Sequence, residues 1–100
     1  HHPPFEVRES KYRWQYASQD AVERLSGVIG TYNHVVRLFC GHAHRQSSGI
    51  IAGVPGATVP SVAIDLRLGD FPEAAETAPV FYLHHYQPDA GFVTELHIAA

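Results

Sequence analysis

The sequence contains no methionine, a single cysteine (Cys40) and few charged residues, which make up 17% of its 100 positions. A lone cysteine cannot form an internal disulfide, so a reducing compartment is allowed, and we expect a cytoplasmic location. The low charged fraction, beside 45% hydrophobic residues, excludes an intrinsically disordered chain. Because the first residue is histidine, we expect the chain to be a piece of a longer protein.

Positive charge is also scarce, since 7 Lys and Arg residues stand against 10 Asp and Glu and leave a net charge of -3. The basic residues are scattered, which argues against a nucleic-acid-binding face. Long hydrophobic runs are missing as well. The longest apolar stretch, residues 50–64, is interrupted by glycine and proline. It is shorter than the run of about 18 apolar residues that a helix needs to cross a bilayer. We expect neither a nucleic-acid partner nor a membrane span.

Histidine, in contrast, is frequent, with 8 residues in 100. A neutral imidazole offers a nitrogen lone pair near neutral pH, which makes histidine the commonest metal ligand in proteins. The length fits one domain, since domains commonly hold about 100–200 residues. The histidines are therefore the first candidates for chemistry.

An amphipathic helix is predicted after residue 18. Ser18 can cap its N-terminus, and Asp20 lies in the first turn, where a carboxylate is favourable. Gly30 and Asn33 are the predicted stop signals. Six apolar residues recur at the spacing of one helical face: Ala21, Val22, Leu25, Val28, Ile29 and Tyr32.

Short apolar segments predict strands. Residues 35–40 form a nearly continuous apolar run, which predicts a strand covered on both faces. Residues 47–52 and 61–66 also indicate strands, separated by a Gly- and Pro-rich loop at 53–60. A polar loop is predicted at residues 69–79, and two further strands, 80–86 and 92–98, predict a hairpin. The helix followed by a buried strand makes the predicted fold class α/β.

His42 and His44 follow directly on the strand predicted at residues 35–40. In an extended segment, residues two apart point to the same side, with Cα atoms about 6.5 Å apart. That separation suits ligands of two metal ions, which lie about 3.5–4 Å apart in binuclear sites. Because α/β sheets place their sites at the carboxyl ends of strands, we predict that both histidines bind metal.

The chain begins with His-His-Pro-Pro-Phe at residues 1–5, where the prolines stiffen the loop. This segment, then a helix, then Leu-Phe-Cys-Gly-His-Ala-His-Arg at residues 38–45 resemble the C-terminal half of the calcineurin-like metallophosphoesterases. The branch they resemble most is the cyclic-nucleotide and glycerophosphodiester phosphodiesterases. Residues 81–94 are similar to the closing hairpin of that branch. The resemblance implies half of a two-sheet sandwich flanked by helices, so that residues 1–100 would be the C-terminal portion of a single catalytic domain.

The resemblance implies hydrolysis of a phosphodiester bond by a metal-bound hydroxide at a binuclear centre. His1 and His42 would bind one metal ion and His44 the other, and Arg45 could hold a phosphate. The two ions would be divalent or trivalent and drawn from Fe, Mn, Zn and Co. The substrate would be a small phosphodiester, such as a cyclic nucleotide or a glycerophosphodiester.

Three further motifs of that family are absent in the required order: Asp-x-His, Gly-Asp-x-x-Asp, and Gly-Asn-His followed by an acid. Residues 69–73 imitate the second motif but lie after His44 in a proline-containing turn, and residues 33–34 lack the flanking residues of the third. We therefore expect the chain alone to be inactive. A half-sandwich exposes an apolar face, so we expect association with the N-terminal half of the same protein or with another copy.

Two other classes of function stay open. Cys40, His42 and His44 could hold one zinc ion in a small zinc-binding module, although no second cysteine pair completes a tetrahedral site. A plain interaction domain would use none of its histidines for chemistry. His84 and His85 are predicted to be structural, one packed and one in water, because adjacent strand residues point to opposite faces.

Overall fold

The computed structural model describes residues 1–99 and contains one α-helix, a three-stranded sheet and a separate two-stranded hairpin. The chain order is α1 (Gln19–Thr31), β1 (Leu38–Cys40), β2 (Ser47–Ile51), β3 (Val54–Thr58), β4 (Val80–Gln87) and β5 (Gly91–Ile98). The predicted α/β class and the C-terminal hairpin are confirmed. This architecture is consistent with the C-terminal part of the sandwich that the resemblance implies.

Helix α1 begins where the sequence predicts. The Ser18 hydroxyl accepts a hydrogen bond from the Ala21 amide at 3.1 Å, which satisfies one of the free amides of the first turn. The helix ends at Thr31, between the predicted stop signals Gly30 and Asn33. Within residues 1–99, no helix combines the length and the apolar character needed to cross a lipid bilayer.

The core lies between α1 and one face of the three-stranded sheet. Val22 and Ile29 of the helix pack with Ile51 and Val54 of the sheet. The predicted apolar face of the helix is wider than the buried one, because Val28 is 58% exposed. Partly buried hydrophobic residues surround the core: Tyr16, Leu25, Val35 and Leu38.

Strand β1 is shorter and less covered than the prediction over residues 35–40. It pairs in parallel with β3 and lies at the edge of the sheet, whose strand order is β1-β3-β2. Phe39 is 39% exposed on the face opposite α1, where it contacts His84 and Phe92 of the hairpin. The prediction of a strand covered on both faces is therefore wrong, since α1 covers one face and the hairpin covers the other only in part.

The central strand β3 lies within residues 53–60, which the sequence predicts to be a loop. Strands β2 and β3 form an antiparallel hairpin around Ala52 and Gly53, which both have positive φ. In such a two-residue hairpin the Ile51–Val54 pair makes the ladder hydrogen bonds, so its neighbour Pro55 needs none from β2. The loop prediction is wrong because it weighed the glycine and proline content without this pairing.

Residues 61–66, predicted as a strand, instead contain a short 3-10 helix at Ile64–Leu66. The Arg67 guanidinium donates hydrogen bonds to the carbonyls of Ala75 and Ala78. These bonds tie the segment to the loop after it, and no strand among residues 1–99 pairs with it. The loop predicted over 69–79 is confirmed, apart from a 3-10 turn at Glu73–Ala75.

The two faces of the β4–β5 hairpin differ. Tyr82 and His84 point towards the three-stranded sheet: the Tyr82 hydroxyl donates to Gln46 Oε1 at 2.9 Å, and the His84 ring lies 4.2 Å from the Phe39 ring. Leu83 and His85 lie on the other face and are exposed. The prediction that one of the two histidines is packed and the other is in water is confirmed, and His84 is the packed one.

Candidate metal site

The candidate site forms where β1 ends. Gly41 follows the strand, and its amide donates a hydrogen bond to the His1 carbonyl at 2.9 Å. This bond holds the N-terminal residues beside the loop 41–46, which connects β1 to β2. Two segments that are far apart in sequence, 1–4 and 41–46, therefore meet at the carboxyl end of a strand, which is where α/β sheets commonly place their sites.

Three hydrogen bonds fix the loop 41–46. The hydroxyl of Thr58, which is fully buried, donates to the Arg45 carbonyl at 2.7 Å. The Leu68 amide donates to the His44 carbonyl at 2.8 Å, and the Ala43 amide donates to the Gly41 carbonyl at 2.7 Å. The side chains of the loop are thus presented from an anchored backbone.

The loop is not extended. His42 and His44 have φ values of 66° and 59°, in the left-handed region that few residues other than glycine adopt. The expectation that this segment is extended is therefore wrong, since the backbone forms a compact turn.

The imidazole nitrogens of His1, His2 and His42 converge. One ring nitrogen from each lies within 4.8 Å of the others, and His42 Nδ1 lies 3.3 Å from His1 Nε2. All three residues are exposed to solvent. Imidazole suits zinc, iron, copper and nickel, so the donor set fits a transition metal.

The pKa of the His42 imidazole is lowered, first because neighbouring atoms partly desolvate it and second because of positive charge on His2, His44 and the N-terminal amine. A lowered pKa favours the neutral imidazole, which is the form that binds metal. The environment of His42 thus favours metal ligation.

The other residues predicted for the site lie around this cluster. His44 is outside it, and its assignment to a second metal ion stays a prediction. Arg45 donates from Nη1 to the Glu9 carbonyl at 2.8 Å, and its buried Nε has no hydrogen-bond partner within residues 1–99. Cys40 is buried and also outside the cluster, and burial raises the pKa of its thiol, which disfavours the metal-binding thiolate.

Sequence reasoning did not single out His2 or Glu9. His2 joins the cluster because its ring lies 4.1 Å from the ring of His42. Its place next to His1 in the His-His-Pro-Pro segment is the signal that could have found it. Glu9 accepts a hydrogen bond from the Ser47 hydroxyl at 2.7 Å, and that bond is the main reason why the pKa of its carboxyl is lowered. Nothing in its sequence context indicates this contact.

No family model matches the chain. The chain is similar to a protein from Arcobacter nitrofigilis described as a probable glycerophosphodiester phosphodiesterase GpdQ. The two sequences are 33% identical over 98 residues, and the match covers 94% of this chain. The chain spans about a third of the length of that relative, of which the match covers 36%.

Proposed function

We propose that the chain is the C-terminal part of a metal-dependent phosphodiesterase with a binuclear metal centre. The observation that carries this proposal is the convergence of the His1, His2 and His42 imidazoles at the end of β1. The similarity to a probable glycerophosphodiester phosphodiesterase supports the same class of reaction. The proposed substrate is a small phosphodiester.

The proposed ligands follow from the site. His1 and His42 hold one metal ion, with His2 beside them, and His44 holds the other. Iron, manganese, zinc and cobalt all suit such a centre. When bound, the ions supply Lewis acidity, which lowers the pKa of water and neutralises charge on phosphoryl oxygens.

Arg45 is the proposed phosphate-binding residue. Its guanidinium is fixed on one side by the Glu9 carbonyl. A guanidinium has five N–H donors, so donors remain for a phosphate oxygen, and a charged donor makes a strong hydrogen bond to such an anion. Arg45 follows His44 directly, which keeps this positive charge close to the histidine loop.

The remaining ligands of the centre are proposed to come from outside this chain. The match leaves 64% of the relative without a counterpart here, since it covers 36% of it. The partner that completes the site would be the N-terminal part of the same protein or a second copy of this chain.

Metal binding tests the proposed ligands. We expect Co²⁺ titration to give a ligand-field absorption band, and His42→Ala to weaken Co²⁺ binding at least about tenfold, because each lost imidazole removes one of few protein donors. His34→Ala is the matched control, since His34 is exposed outside the cluster, and we expect no change. Binding that depends on Cys40→Ser and not on His42→Ala would favour the alternative, a small zinc-binding module.

Hydrolysis tests the incomplete centre. We expect the chain with added Mn²⁺ to leave bis-p-nitrophenyl phosphate unhydrolysed above background, because its histidines lack the carboxylate that bridges two metal ions. Addition of the N-terminal part of the protein is expected to bring activity. Clear turnover by the chain alone would contradict the proposal that its site is partial.

A further inference from the structure

Strand β2 has an open edge. It lies at the outside of the three-stranded sheet, and no strand among residues 1–99 pairs with its outer side. Gly49 and Ile51 make the ladder bonds to β3, so the amides and carbonyls of Ser48 and Ile50 point away from the sheet. No backbone hydrogen bond from the described loops reaches these two residues. An unpaired edge of this kind is a template for an added strand.

A groove of about 700 Å³ lies beside this edge and extends across the sheet to Pro55 and Gly56 of β3 and to Arg37. Ser48 and Ile50 line it together with two aromatic residues, Phe5 and Trp14. Ile50 is 70% exposed and Trp14 is 41% exposed, so apolar surface is available beside the free backbone groups. The groove therefore offers both parts of a strand-binding site, namely backbone partners and pockets for side chains.

The charge in the groove is mainly positive. Arg8 and Arg37 line it, and neither makes a salt bridge or a side-chain hydrogen bond within residues 1–99. The Nε atom of Arg37 is buried without a hydrogen-bond partner. Glu6 is the one acidic residue of the lining. Two unpaired guanidinium groups against one carboxylate select an acidic partner.

We propose that this groove binds an extended peptide segment of alternating acidic and apolar residues, which adds to β2 as a further strand. The peptide backbone pairs with Ser48 and Ile50, its apolar side chains contact Trp14, and its carboxylates pair with Arg8 and Arg37. A small anion would leave the alternating amides and carbonyls of the edge without partners, which favours a peptide. The groove shares Pro4 with the cavity beside His1 and His2 but none of the histidines, so this proposal does not rest on the proposed function.

Binding of a short blocked peptide of alternating valine and glutamate tests the proposal. We expect saturable binding by calorimetry, and protection of the Ser48 and Ile50 amides from hydrogen exchange. Methylation of the peptide amides that face β2 should abolish binding, whereas methylation of the alternate amides should leave it unchanged. A peptide of alternating valine and lysine should bind at least about tenfold more weakly, because its positive charges are repelled by the two guanidinium groups.

Variants of the protein provide a second test. Arg8→Gln and Arg37→Gln should each weaken peptide binding about tenfold through the loss of a charged pair. Arg24→Gln is the matched control, because Arg24 lies on α1 outside the groove. Ile50→Pro removes an amide that points away from β3, so it should block the peptide while the fold is kept. A thermal unfolding midpoint like that of the parent chain would show that it folds.

Three results would overturn the proposal. The first is an absence of binding. The second is a binding affinity that is the same whichever peptide amides are methylated, or the same for the glutamate and the lysine peptide. The third is protection of Ser48 and Ile50 that depends on protein concentration without peptide, which would assign the edge to a second copy of the chain.

Discussion

Gly49 and Gly56 are required by a neighbouring side chain. Neither has a positive φ, but a Cβ atom at Gly56 would lie 2.6 Å from Phe5 Cε1, and one at Gly49 would overlap the same ring. Phe5 is 6% exposed, so its ring has little room to move. The paired glycines of β2 and β3 thus leave the space that the Phe5 ring occupies. This contact packs the N-terminal segment against the sheet.

Alanine substitutions at two glycines should therefore have opposite signs. Gly49→Ala is expected to lower the free energy of unfolding by about 1–3 kcal/mol, through overpacking against Phe5. Gly27→Ala places its Cβ on α1, where no atom beyond its chain neighbours and the local helix backbone lies within 4 Å, and should raise the free energy of unfolding by about 0.5–1 kcal/mol. Urea unfolding measures both. Equal effects at the two positions would contradict this account of Gly49.

The individual site residues were predictable to different degrees. His1 and His42 stand in recognisable motifs, and the structure brings them together. His2 could not be predicted from spacing alone, because adjacent residues usually point apart, whereas here the rings of both His1 and His2 lie close to the His42 ring. The left-handed backbone at His42 and His44 leaves no signal in the sequence either, since it depends on hydrogen bonds from Leu68 and Thr58.

At the scale of elements, the outer face of the β4–β5 hairpin carries a small charged cluster. Glu95 Oε2 lies 3.1 Å from His97 Nε2 and 3.6 Å from His85 Nε2. The hydrogen bond from His97 and the positive charge of His85 lower the pKa of the Glu95 carboxyl. The cluster links residues of both strands across the hairpin.

The pH dependence of the hairpin follows from this shift. Since the pKa of Glu95 is lowered in the folded state, its contribution to stability is present above the ordinary glutamate pKa and is lost as the pH falls through the lowered value. NMR titration of the Glu95 carboxyl should show this low midpoint. His97→Ala should raise it, while His34→Ala should not. A midpoint unaffected by His97→Ala would contradict the assignment.

The elements with local signals were predictable, and those set by distant pairing were not. α1 has a cap and a periodic face, and the final hairpin has two apolar segments around a turn. Strand β3 is recognisable only through its pairing with its partner strands. Pro55 is acceptable in β3 because its position in the hairpin requires no backbone hydrogen bond to β2. Residues 61–66 have the apolar content of a strand but no partner beside them among residues 1–99.

At the scale of the whole molecule, the described chain is flat. Its dimensions are 43 × 35 × 16 Å and its radius of gyration is 14.6 Å, whereas about 13 Å is typical of a compact domain of this length. Large hydrophobic side chains are correspondingly exposed on the hairpin and on residues 61–68. They include Phe81, Leu83, Val93, Val62, Leu66 and Leu68.

We therefore predict that the chain self-associates when no partner is present. Light scattering should give a mass above that of the 11.0 kDa monomer, because exposed apolar surface of this extent favours association. Leu83→Lys, on the outer face of the hairpin, should shift the chain towards monomer. Asp89→Lys at the hairpin turn controls for added charge and should not. A monodisperse monomer of the unmodified chain would contradict the prediction.

The left-handed backbone at His42 and His44 has a consequence for protein engineering. Glycine would adopt these conformations without the cost of about 1 kcal/mol or more that other residues incur. A redesign that selects for thermostability alone would therefore favour glycine at both positions and remove the imidazoles. Folding and the proposed metal binding have opposite preferences at these two positions, so selection for metal binding would have to accompany any stabilisation of this loop.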